Sequence, residues 1–157
     1  MKQYVACILF DKYLSKAMLI RKSRPKWMKG KLNGIGGHIE YKESPFNAIQ
    51  REFTEKTGLI NPKWTQFAIL TGIDNEHNLF KVYWFTATVD QPDDWRATNP
   101  DNEPVNWYLL IDDTHSIVDN NMIPNLKWLI EMAKTHIKGE DIATCYHIQE
   151  MYIPKST

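Results

Sequence analysis

Runs of apolar residues, broken by polar turns, predict most of the strands in this chain. The apolar run Val5–Phe10 stops at Asp11, and a second run follows after a short polar turn, which is typical of two neighbouring strands. Later segments are rich in β-branched and aromatic residues, which favours strands there too. The predicted strands are Val5–Phe10, Ala17–Ile20, Trp64–Thr71, Leu79–Val89 and Val105–Ile111, with Thr144–Ile148 as an ambiguous edge strand.

Two segments repeat their apolar residues with a helical period. Ser44 followed by Pro45 is a helix start signal, and Gly58 is a typical stop after Thr57. Within this first helix Phe46, Ile49 and Phe53 fall on one narrow stripe, which we expect to be the buried face. A second helix is predicted over Asn121–Ile137. Its apolar face carries Leu126, Leu129, Ile130 and Ala133.

The order of these elements predicts an α+β fold, with helices packed on a mixed sheet. Two charged segments are predicted as loops, one over Arg21–Lys31 and an acidic one over Asp90–Glu103. The segment Asn33–Gly37 is dense in glycine. We expect its backbone to take conformations that other side chains forbid.

Length, composition and charge narrow the possible classes of protein. The 157 residues suit a single domain over 1–157, and 43% hydrophobic with 24% charged residues is ordinary for a globular protein. Nineteen basic residues balance nineteen acidic ones, so charge predicts neither a nucleic-acid polymer nor a membrane surface as partner. No apolar run reaches the length of a membrane span. The two cysteines, Cys7 and Cys145, are too few for a disulfide scaffold, so we expect a reducing cytoplasm.

Acidic residues on the first predicted helix form the main candidate site. Glu52, Glu55 and Lys56 project within an arc of about 100°, beside the buried stripe, and Glu43 lies just before the helix. Crowded carboxylates repel one another unless a cation lies among them, and Mg²⁺ prefers such oxygen ligands together with substrate phosphates. The alternative is a solvated charged face, in which Glu52 and Lys56 form an ordinary i,i+4 pair.

The spacing of the whole segment 37–59 resembles the Nudix box. That signature is G, five residues, E, seven residues, R-E-U-x-E-E-x-G-U, where U is a bulky apolar residue. The matching positions are Gly37, Glu43, Arg51, Glu52, Phe53, Glu55, Gly58 and Leu59. Because so many identities rarely coincide at fixed spacing by chance, the chain is identified as similar to Nudix hydrolases over these 23 residues.

The resemblance implies a Nudix α/β/α sandwich and Mg²⁺-dependent hydrolysis, with Mn²⁺ as a substitute, of a nucleoside diphosphate linked to another group. Glu52 and Glu55 would bind the metal or act as the base, and the Gly37 carbonyl would be a further ligand. Glu43 and Arg51 would form an ion pair that fixes the box. Dimers are common among similar proteins, so a homodimer is an expectation as well.

One position departs from the signature. Lys56 stands where the family has the second glutamate of its E-E pair, and an ammonium cannot bind Mg²⁺. Either Lys56 contacts phosphate in place of part of the metal's charge, or turnover is poor and the domain mainly binds nucleotides. Similar proteins often recruit a further acidic ligand from a later loop. Glu103 is the candidate, with an ordinary acidic loop residue as the alternative.

A basic segment lies directly before the glycines. It places six cations within eleven residues, and in a neutral protein it would attract polyphosphate or else form a solvated loop face. Its members are Arg21, Lys22, Arg24, Lys26, Lys29 and Lys31. Trp27 within it would stack on a base or cap the edge of the core.

Two further segments bear on the base. The segment Leu32–Gly37 resembles the N-G-x-G-G element of MutT-like nucleoside triphosphate pyrophosphohydrolases, in which the asparagine hydrogen-bonds a purine edge. Asn33 inherits that hypothesis, although Asn before Gly is also good turn chemistry. Met122 and Asn125 lie in a segment that looks like the one closing over the base. The acidic residues expected of an oxidised-guanine reader are absent there, so the base stays open.

Together these patterns predict Mg²⁺-dependent hydrolysis of a nucleoside triphosphate, oxidised or not, to nucleoside monophosphate and pyrophosphate. A pyrophosphatase for ADP-ribose or NADH is the alternative within the enzyme class. A nucleotide-binding module with weakened catalysis is the alternative outside it, and Lys56 is the feature that favours it.

Overall fold

The computed structural model describes residues 1–74, 76–98, 103–111, 116–117, 121–140 and 145–151. The strands are β1 (Lys2–Asp11), β2 (Lys16–Arg21), β3 (Leu32–Asn33), β4 (Ile35–His38), β5 (Thr65–Ile73), β6 (Leu79–Val89), β7 (Val105–Ile111), β8 (Ser116–Ile117) and β9 (Tyr146–Met151). The helices are α1 (Pro45–Thr57) and α2 (Leu126–Ile137), and short 3₁₀ turns cover Lys26–Met28 and Pro92–Asp94.

The strands form a mixed sheet with one helix packed on each face. The strand order is β8-β7-β2-β1-β6-β5-β9, with β3 beside β2 and β4 beside β1. The pairs β1–β6 and β5–β9 are parallel, and the other pairs are antiparallel. One apolar cluster lies between the sheet and α1, and the other lies between the sheet and α2. The predicted α+β class and the α/β/α sandwich are therefore confirmed.

Strand β1 is buried on both faces and supplies both clusters. Val5, Cys7 and Leu9 belong to the cluster that includes Ile49 and Phe53 of α1. The intervening Ala6, Ile8 and Phe10 belong to the cluster that includes Leu126 and Leu129 of α2. Because side chains alternate along a strand, a strand covered on both faces must be apolar throughout, which explains the run that the sequence shows.

Strands β1 and β2 separate at one end and create a fork. They pair with each other at Leu9–Phe10 with Ala17–Met18. Towards the other end of β1, residues 4–7 pair with β4 instead, and residues 20–21 of β2 pair with β3. The glycine segment is thus inserted between the two strands. The basic segment, which follows β2 directly, leaves the sheet at this same end.

Close contact, rather than unusual dihedral angles, explains the glycines of the fork. The described glycines with positive φ are Gly30, Gly58 and Gly139, so the expectation of forbidden backbone conformations at Gly34, Gly36 and Gly37 is wrong. A Cβ on Gly36 would collide with the Val5 carbonyl oxygen, and one on Gly34 would lie 2.5 Å from the Trp84 ring. A Cβ on Gly37 would collide with the Glu52 carboxylate.

The first predicted helix is confirmed at both ends. The Ser44 hydroxyl accepts a hydrogen bond from the Asn47 N–H at 3.1 Å, and Gly58 ends the helix with φ of 74°. The buried stripe, however, was predicted wrongly at Phe46, whose side chain is 46% exposed. The buried residues of α1 are Ala48, Ile49, Glu52, Phe53 and Thr57.

The second predicted helix begins later than expected. Residues 121–123 do not start it, because the Leu32 N–H donates to the Asn121 carbonyl and the Ile123 N–H donates to the Leu32 carbonyl. Pro124 then disfavours helix at the preceding residue, and α2 starts at Leu126. Its predicted apolar face is buried as expected.

The remaining elements largely follow the predictions. Strands β6 and β7 have the predicted bounds, whereas β5 begins and ends slightly later than predicted. The ambiguous edge strand is β9 beside β5, and Thr144, where the predicted strand began, lies outside the described residues. Within the described part of the chain, no helix has the length and apolar character needed to cross a membrane.

The close contacts at the fork predict that the stability of the fold depends strongly on the absence of side chains at its glycines. We expect Gly36→Ala to lower the free energy of unfolding by about 2–3 kcal/mol or more, because its methyl group meets the rigid Val5 carbonyl. Gly139→Ala is the control: it has φ of 70° and no atom within 4 Å, so it should cost about 1 kcal/mol from backbone strain alone. Urea denaturation of both variants measures the difference. Equal costs would show that contact at the fork is not the constraint.

Candidate functional site

A single arginine of α1 gathers acidic residues from the helix and from the loop before it. Arg51 Nε and Nη2 donate to the two carboxylate oxygens of Glu43 at 2.8 and 2.9 Å, which is a bidentate ion pair. Arg51 Nη1 donates to Glu52 Oε1 at 2.8 Å and to Glu55 Oε2 at 3.2 Å, and it lies 3.7 Å from Glu40 Oε1. Four carboxylates therefore surround one guanidinium. The predicted ion pair between Glu43 and Arg51 is present in this geometry.

Arg51 also ties α1 to the fork. Its Nη2 donates to the His38 carbonyl oxygen, at the end of β4, at 2.9 Å. The hydrogen bonds from Arg51 hold the pKa of the Glu43 carboxyl below its usual range, and the same bonds raise the pKa of Arg51. Both groups therefore stay charged across the physiological range. The ion pair fixes the loop between β4 and α1 against the helix.

Glu52 lies deeper than the helical pattern suggested. We expected it beside the buried stripe, but its residue is 7% exposed and belongs to the buried face. The reason is Gly37, since the Glu52 carboxylate occupies the space that a side chain at position 37 would fill. One oxygen of Glu52 is bonded to Arg51, and the carboxylate lies against the β4 backbone.

Glu55 and Lys56 continue the same surface of α1. The Glu55 side chain is 55% exposed, so one oxygen bonds Arg51 while the carboxylate remains open to solvent. Lys56 is half-buried, next to Glu55 and one helical turn beyond Glu52. Its ammonium adds positive charge to a cluster that carries more carboxylates than guanidinium groups.

The donor set fits a hard divalent cation. Within the described residues no group of three or more His, Cys, Asp or Glu side chains is arranged to hold a metal ion. Mg²⁺, however, commonly takes one or two carboxylates and completes its shell with water and substrate phosphates. Glu52 and Glu55 supply such oxygens one helical turn apart, and the Glu52 carboxylate lies against Gly37. Whether the Gly37 carbonyl is a ligand stays a prediction.

Glu103 lies in a different setting. Its side chain is 4% exposed and accepts hydrogen bonds from Ser23 N at 2.6 Å and from Lys22 Nζ at 3.1 Å. Burial alone would raise the pKa of the Glu103 carboxyl, but these bonds outweigh burial and hold the pKa below its ordinary value. The structure does not gather Glu103 with Glu52 and Glu55 into one metal cluster. Its role as a metal ligand stays a prediction.

The basic segment is an ordered loop whose cations differ in their surroundings. Lys22 is paired with Glu103, and Arg21 Nη1 donates to the Gly30 carbonyl at 2.8 Å while its guanidinium lies over Tyr108. Among the charged and aromatic side chains of this segment, the exposed ones are Arg24, Lys26, Trp27 and Lys29. Trp27 is 57% exposed, so it does not cap the core edge, and the stacking hypothesis remains as the prediction.

Two of the residues predicted to contact a base, Asn33 and Met122, occupy neighbouring backbone positions at the fork. Asn33 pairs with Ile20 in β2, and its Oδ1 accepts a hydrogen bond from the Gly34 N–H at 2.8 Å. Met122 lies beside Leu32 in a parallel bridge and packs against the α2-side cluster. Asn125 is the residue before α2. The structure thus brings Asn33 and Met122 to neighbouring backbone positions, whereas their contact with a base stays a prediction.

Two participants escaped the sequence analysis. Glu40 joins the cluster around Arg51, but it occupies no fixed position of the box, and its only sequence signal is its place between Gly37 and Glu43. Ser23 donates to Glu103 through its backbone N–H, which any residue except proline supplies. Sequence reasoning had no signal for that bond.

Comparison with known proteins places the chain in a family and agrees with its fold. A family model described as NUDIX domain matches residues 2–144. A search of curated proteins finds no relative that matches this chain.

Several solved structures share the fold at low identity. The MutT protein from Bacillus halodurans is 20% identical, with a TM-score of 0.70 over 98% of this chain and 92% of that chain. The NUDIX domain of NrtR from Shewanella oneidensis, complexed with ADP ribose, is 21% identical, with a TM-score of 0.68 over 86% and 87%. The MutT NUDIX hydrolase from Burkholderia pseudomallei is 16% identical, with a TM-score of 0.67 over 83% and 96%.

The Glu43–Arg51 pair predicts a pH-dependent stability. Because the folded-state pKa of Glu43 is lowered, its contribution is complete above the unfolded pKa and is lost as pH falls through the folded pKa. We expect Glu43→Gln to cost about 1–2 kcal/mol near pH 7, and the difference from wild type to shrink below about pH 4.

Urea denaturation from pH 7 to pH 3 measures this difference. Glu40→Gln is the matched control, since Glu40 is 3.7 Å from Arg51 and its side chain is 68% exposed. A Glu43→Gln difference that stays constant with pH, or that equals the Glu40→Gln difference, would contradict the assigned ion pair.

Proposed function

We propose a substrate and a division of roles for this chain, which belongs to the NUDIX domain family and is a Nudix hydrolase. The proposed reaction converts a nucleoside triphosphate and water to nucleoside monophosphate and pyrophosphate, in the presence of a divalent metal ion, Mg²⁺ or Mn²⁺. The observation that carries the proposal is the placement of the acidic cluster around Arg51 and the basic loop at the same end of the β1–β2 fork.

The acidic cluster would hold the metal ion. Glu52 and Glu55 are the proposed ligands, because each has one carboxylate oxygen bonded to Arg51 Nη1. The Glu52 carboxylate lies against Gly37, and the Glu55 side chain is 55% exposed. A bound divalent ion polarises a phosphoryl oxygen and lowers the pKa of water. Glu52 and Glu55 also orient the attacking water. Arg51 and Glu43 hold both carboxylates in place and take no proton.

The basic loop and the fork would hold the rest of the substrate. Arg24 and the neighbouring exposed lysines present charge to the phosphate chain, and Lys56 contacts phosphate from α1. Trp27 stacks on the base, supported by its exposure on an ordered turn. Asn33 reads the base edge through its side-chain amide, and Met122, whose backbone bridges to the neighbouring Leu32, closes over the base together with Asn125.

Two other functions have a specific observation behind them. The NrtR NUDIX domain is complexed with ADP ribose and shares the fold, which favours a pyrophosphatase for ADP-ribose or NADH as the second candidate. Lys56 in place of an acidic residue favours a nucleotide-binding module with weak turnover. A substrate panel separates these candidates, because only triphosphates yield pyrophosphate.

The proposal extends to the setting of the protein. We propose one domain over 1–157 that acts on small nucleotides in a reducing cytoplasm, which is supported by Cys7 and Cys145 both being free thiols. A homodimer is part of the proposal only through the resemblance to similar proteins.

Turnover across a substrate panel tests the proposed reaction. Wild type with Mg²⁺ is expected to release pyrophosphate from canonical or oxidised nucleoside triphosphates faster than it cleaves ADP-ribose or NADH. Glu52→Gln removes the buried charge beside Gly37 while keeping its shape, and it should lower kcat by about 10²- to 10⁴-fold.

In this substrate panel, faster cleavage of ADP-ribose than of triphosphates would replace the proposed substrate with the second candidate.

Lys56→Glu discriminates the hydrolase from the binding module. A silent wild type whose activity is restored by Lys56→Glu would show that the fold has become a nucleotide binder, and tight binding of uncleaved nucleotide would accompany it.

The basic loop predicts a separate effect on substrate affinity. Arg24→Gln is expected to raise KM for a triphosphate about three- to tenfold at low salt with little change in kcat, because it removes an exposed charge near the phosphates. The effect should fade at high salt. Lys12→Gln is the matched control, since Lys12 is exposed on the turn at the opposite end of β2. Equal KM values for the two variants would exclude Arg24 from the phosphate site.

A further inference from the structure

The buried carboxylate of Glu103 binds the root of the basic loop, which consists of Lys22 and Ser23. The Glu103 side chain, just before β7, is 4% exposed. One oxygen accepts from Lys22 Nζ at 3.1 Å, and the other accepts from Ser23 N at 2.6 Å and from Ser23 Oγ at 3.2 Å. Every one of these donors belongs to the first two residues after β2. Glu103 therefore joins the start of the loop to the start of β7.

Backbone hydrogen bonds close the loop around that anchor. The Arg21 N–H donates to the Pro104 carbonyl at 2.9 Å, beside Glu103. The two ends of the loop are joined by Lys22 N to Lys31 O at 2.9 Å and by Gly30 N to Lys22 O at 2.8 Å. The root of the loop is thus fixed, and the exposed cations and Trp27 lie beyond it.

Such a loop needs an anchor for electrostatic reasons. Six cations within eleven residues repel one another, and that repulsion favours an open, disordered segment over an ordered one. Glu103 neutralises Lys22 at the root of the loop. The Lys22 side chain is only 17% exposed, so water screens its repulsion from the other cations least. Lys22 and Ser23 together donate three hydrogen bonds to the Glu103 carboxylate, which leaves about one of its four lone-pair sites for any further partner such as a metal ion.

We propose that Glu103 is a positioning residue, which holds the basic loop in the conformation that receives the phosphate chain of the substrate, and not a metal ligand. The proposal rests on the proposed function only in assigning phosphate as the loop's ligand. Ordering of the loop by Glu103 follows from the hydrogen bonds themselves. Because the loop is ordered before substrate arrives, less conformational entropy is lost on binding.

Trypsin measures the order of the loop without any reference to activity. Lys26 and Lys29 are exposed cleavage sites inside the loop, and mass spectrometry resolves cleavage after each of them. In Glu103→Gln we expect cleavage at these sites to be at least about tenfold faster than in wild type, because the open form of the loop becomes more populated. Lys22→Gln removes the same ion pair from its other partner and should accelerate cleavage in the same direction.

The control for both variants is Glu76→Gln, the same substitution at an exposed residue on the turn between β5 and β6. Its cleavage rate should equal that of wild type. Thermal unfolding of each variant shows whether the fold as a whole survives. If Glu103→Gln does not fold, Lys22→Gln decides the question.

Kinetics and metal binding separate positioning from ligation. In Glu103→Gln, KM for a nucleoside triphosphate is expected to rise about five- to tenfold while kcat changes by about twofold or less. Mn²⁺ affinity, measured by calorimetry without nucleotide, should stay within about twofold of wild type, whereas loss of a direct ligand would weaken it about tenfold or more.

Three outcomes would overturn the proposal. One is a trypsin cleavage rate in Glu103→Gln equal to that of Glu76→Gln, and another is a fall in kcat with KM unchanged. The third is weakened Mn²⁺ binding in Glu103→Gln but not in Lys22→Gln, which would make Glu103 a ligand.

Failure of the proposed function gives a different result. If wild type cleaves no nucleotide, the proposed function fails, and the anchor is still tested by trypsin and by calorimetric binding of inorganic triphosphate. Faster cleavage together with weaker triphosphate binding in Glu103→Gln would support the anchor in that case, and unchanged values would overturn it.

Discussion

The site depends on one guanidinium that balances four carboxylates. Arg51 binds Glu43 through two hydrogen bonds and reaches Glu52 and Glu55 through a third nitrogen, so the three acidic side chains are held close together. The same side chain bonds the His38 carbonyl, which connects α1 to the glycine strand. Without Arg51, repulsion among the carboxylates would move apart the elements that form the site. Arg51 therefore both joins α1 to β4 and allows several carboxylates to share one surface.

The sequence predicted those parts of the fold that depend on local chemistry. Ser44 and Gly58 located both ends of α1, and the β-branched and aromatic residues of Leu79–Val89 located β6, because capping and side-chain type act locally. The predictions failed where a distant segment decides. Phe46 fits the apolar period, yet it is half exposed, because in the first turn of α1 it reaches the sheet only through an edge contact with Phe85.

The site shows the same division. The box residues and the Glu43–Arg51 pair followed from spacing, but the burial of Glu52 did not, because it depends on the absence of a side chain at Gly37 in another element. Similarly, Glu103 was recognised as a candidate from its charge and from its place in a late loop, where similar proteins often have an acidic metal ligand. Its bonds to Lys22 and Ser23 depend on β7 pairing with β2, eighty residues earlier in the chain, and no local pattern encodes that pairing.

The acidic cluster and the basic loop carry opposite charges, and each is partly neutralised within the protein. The chain as a whole is neutral, with nineteen charges of each sign, but the acidic cluster and the basic loop are separated along the chain and lie at the same end of the fork. Each region alone is repulsive, and each is held by one residue of opposite charge, Arg51 for the acidic cluster and Glu103 for the basic loop. A complex of a divalent cation with a polyphosphate presents opposite charges to both regions at once. In the proposed function such a ligand relieves both repulsions together, whereas a free cation or a free phosphate relieves only one, and this would favour a metal–nucleotide complex over either component.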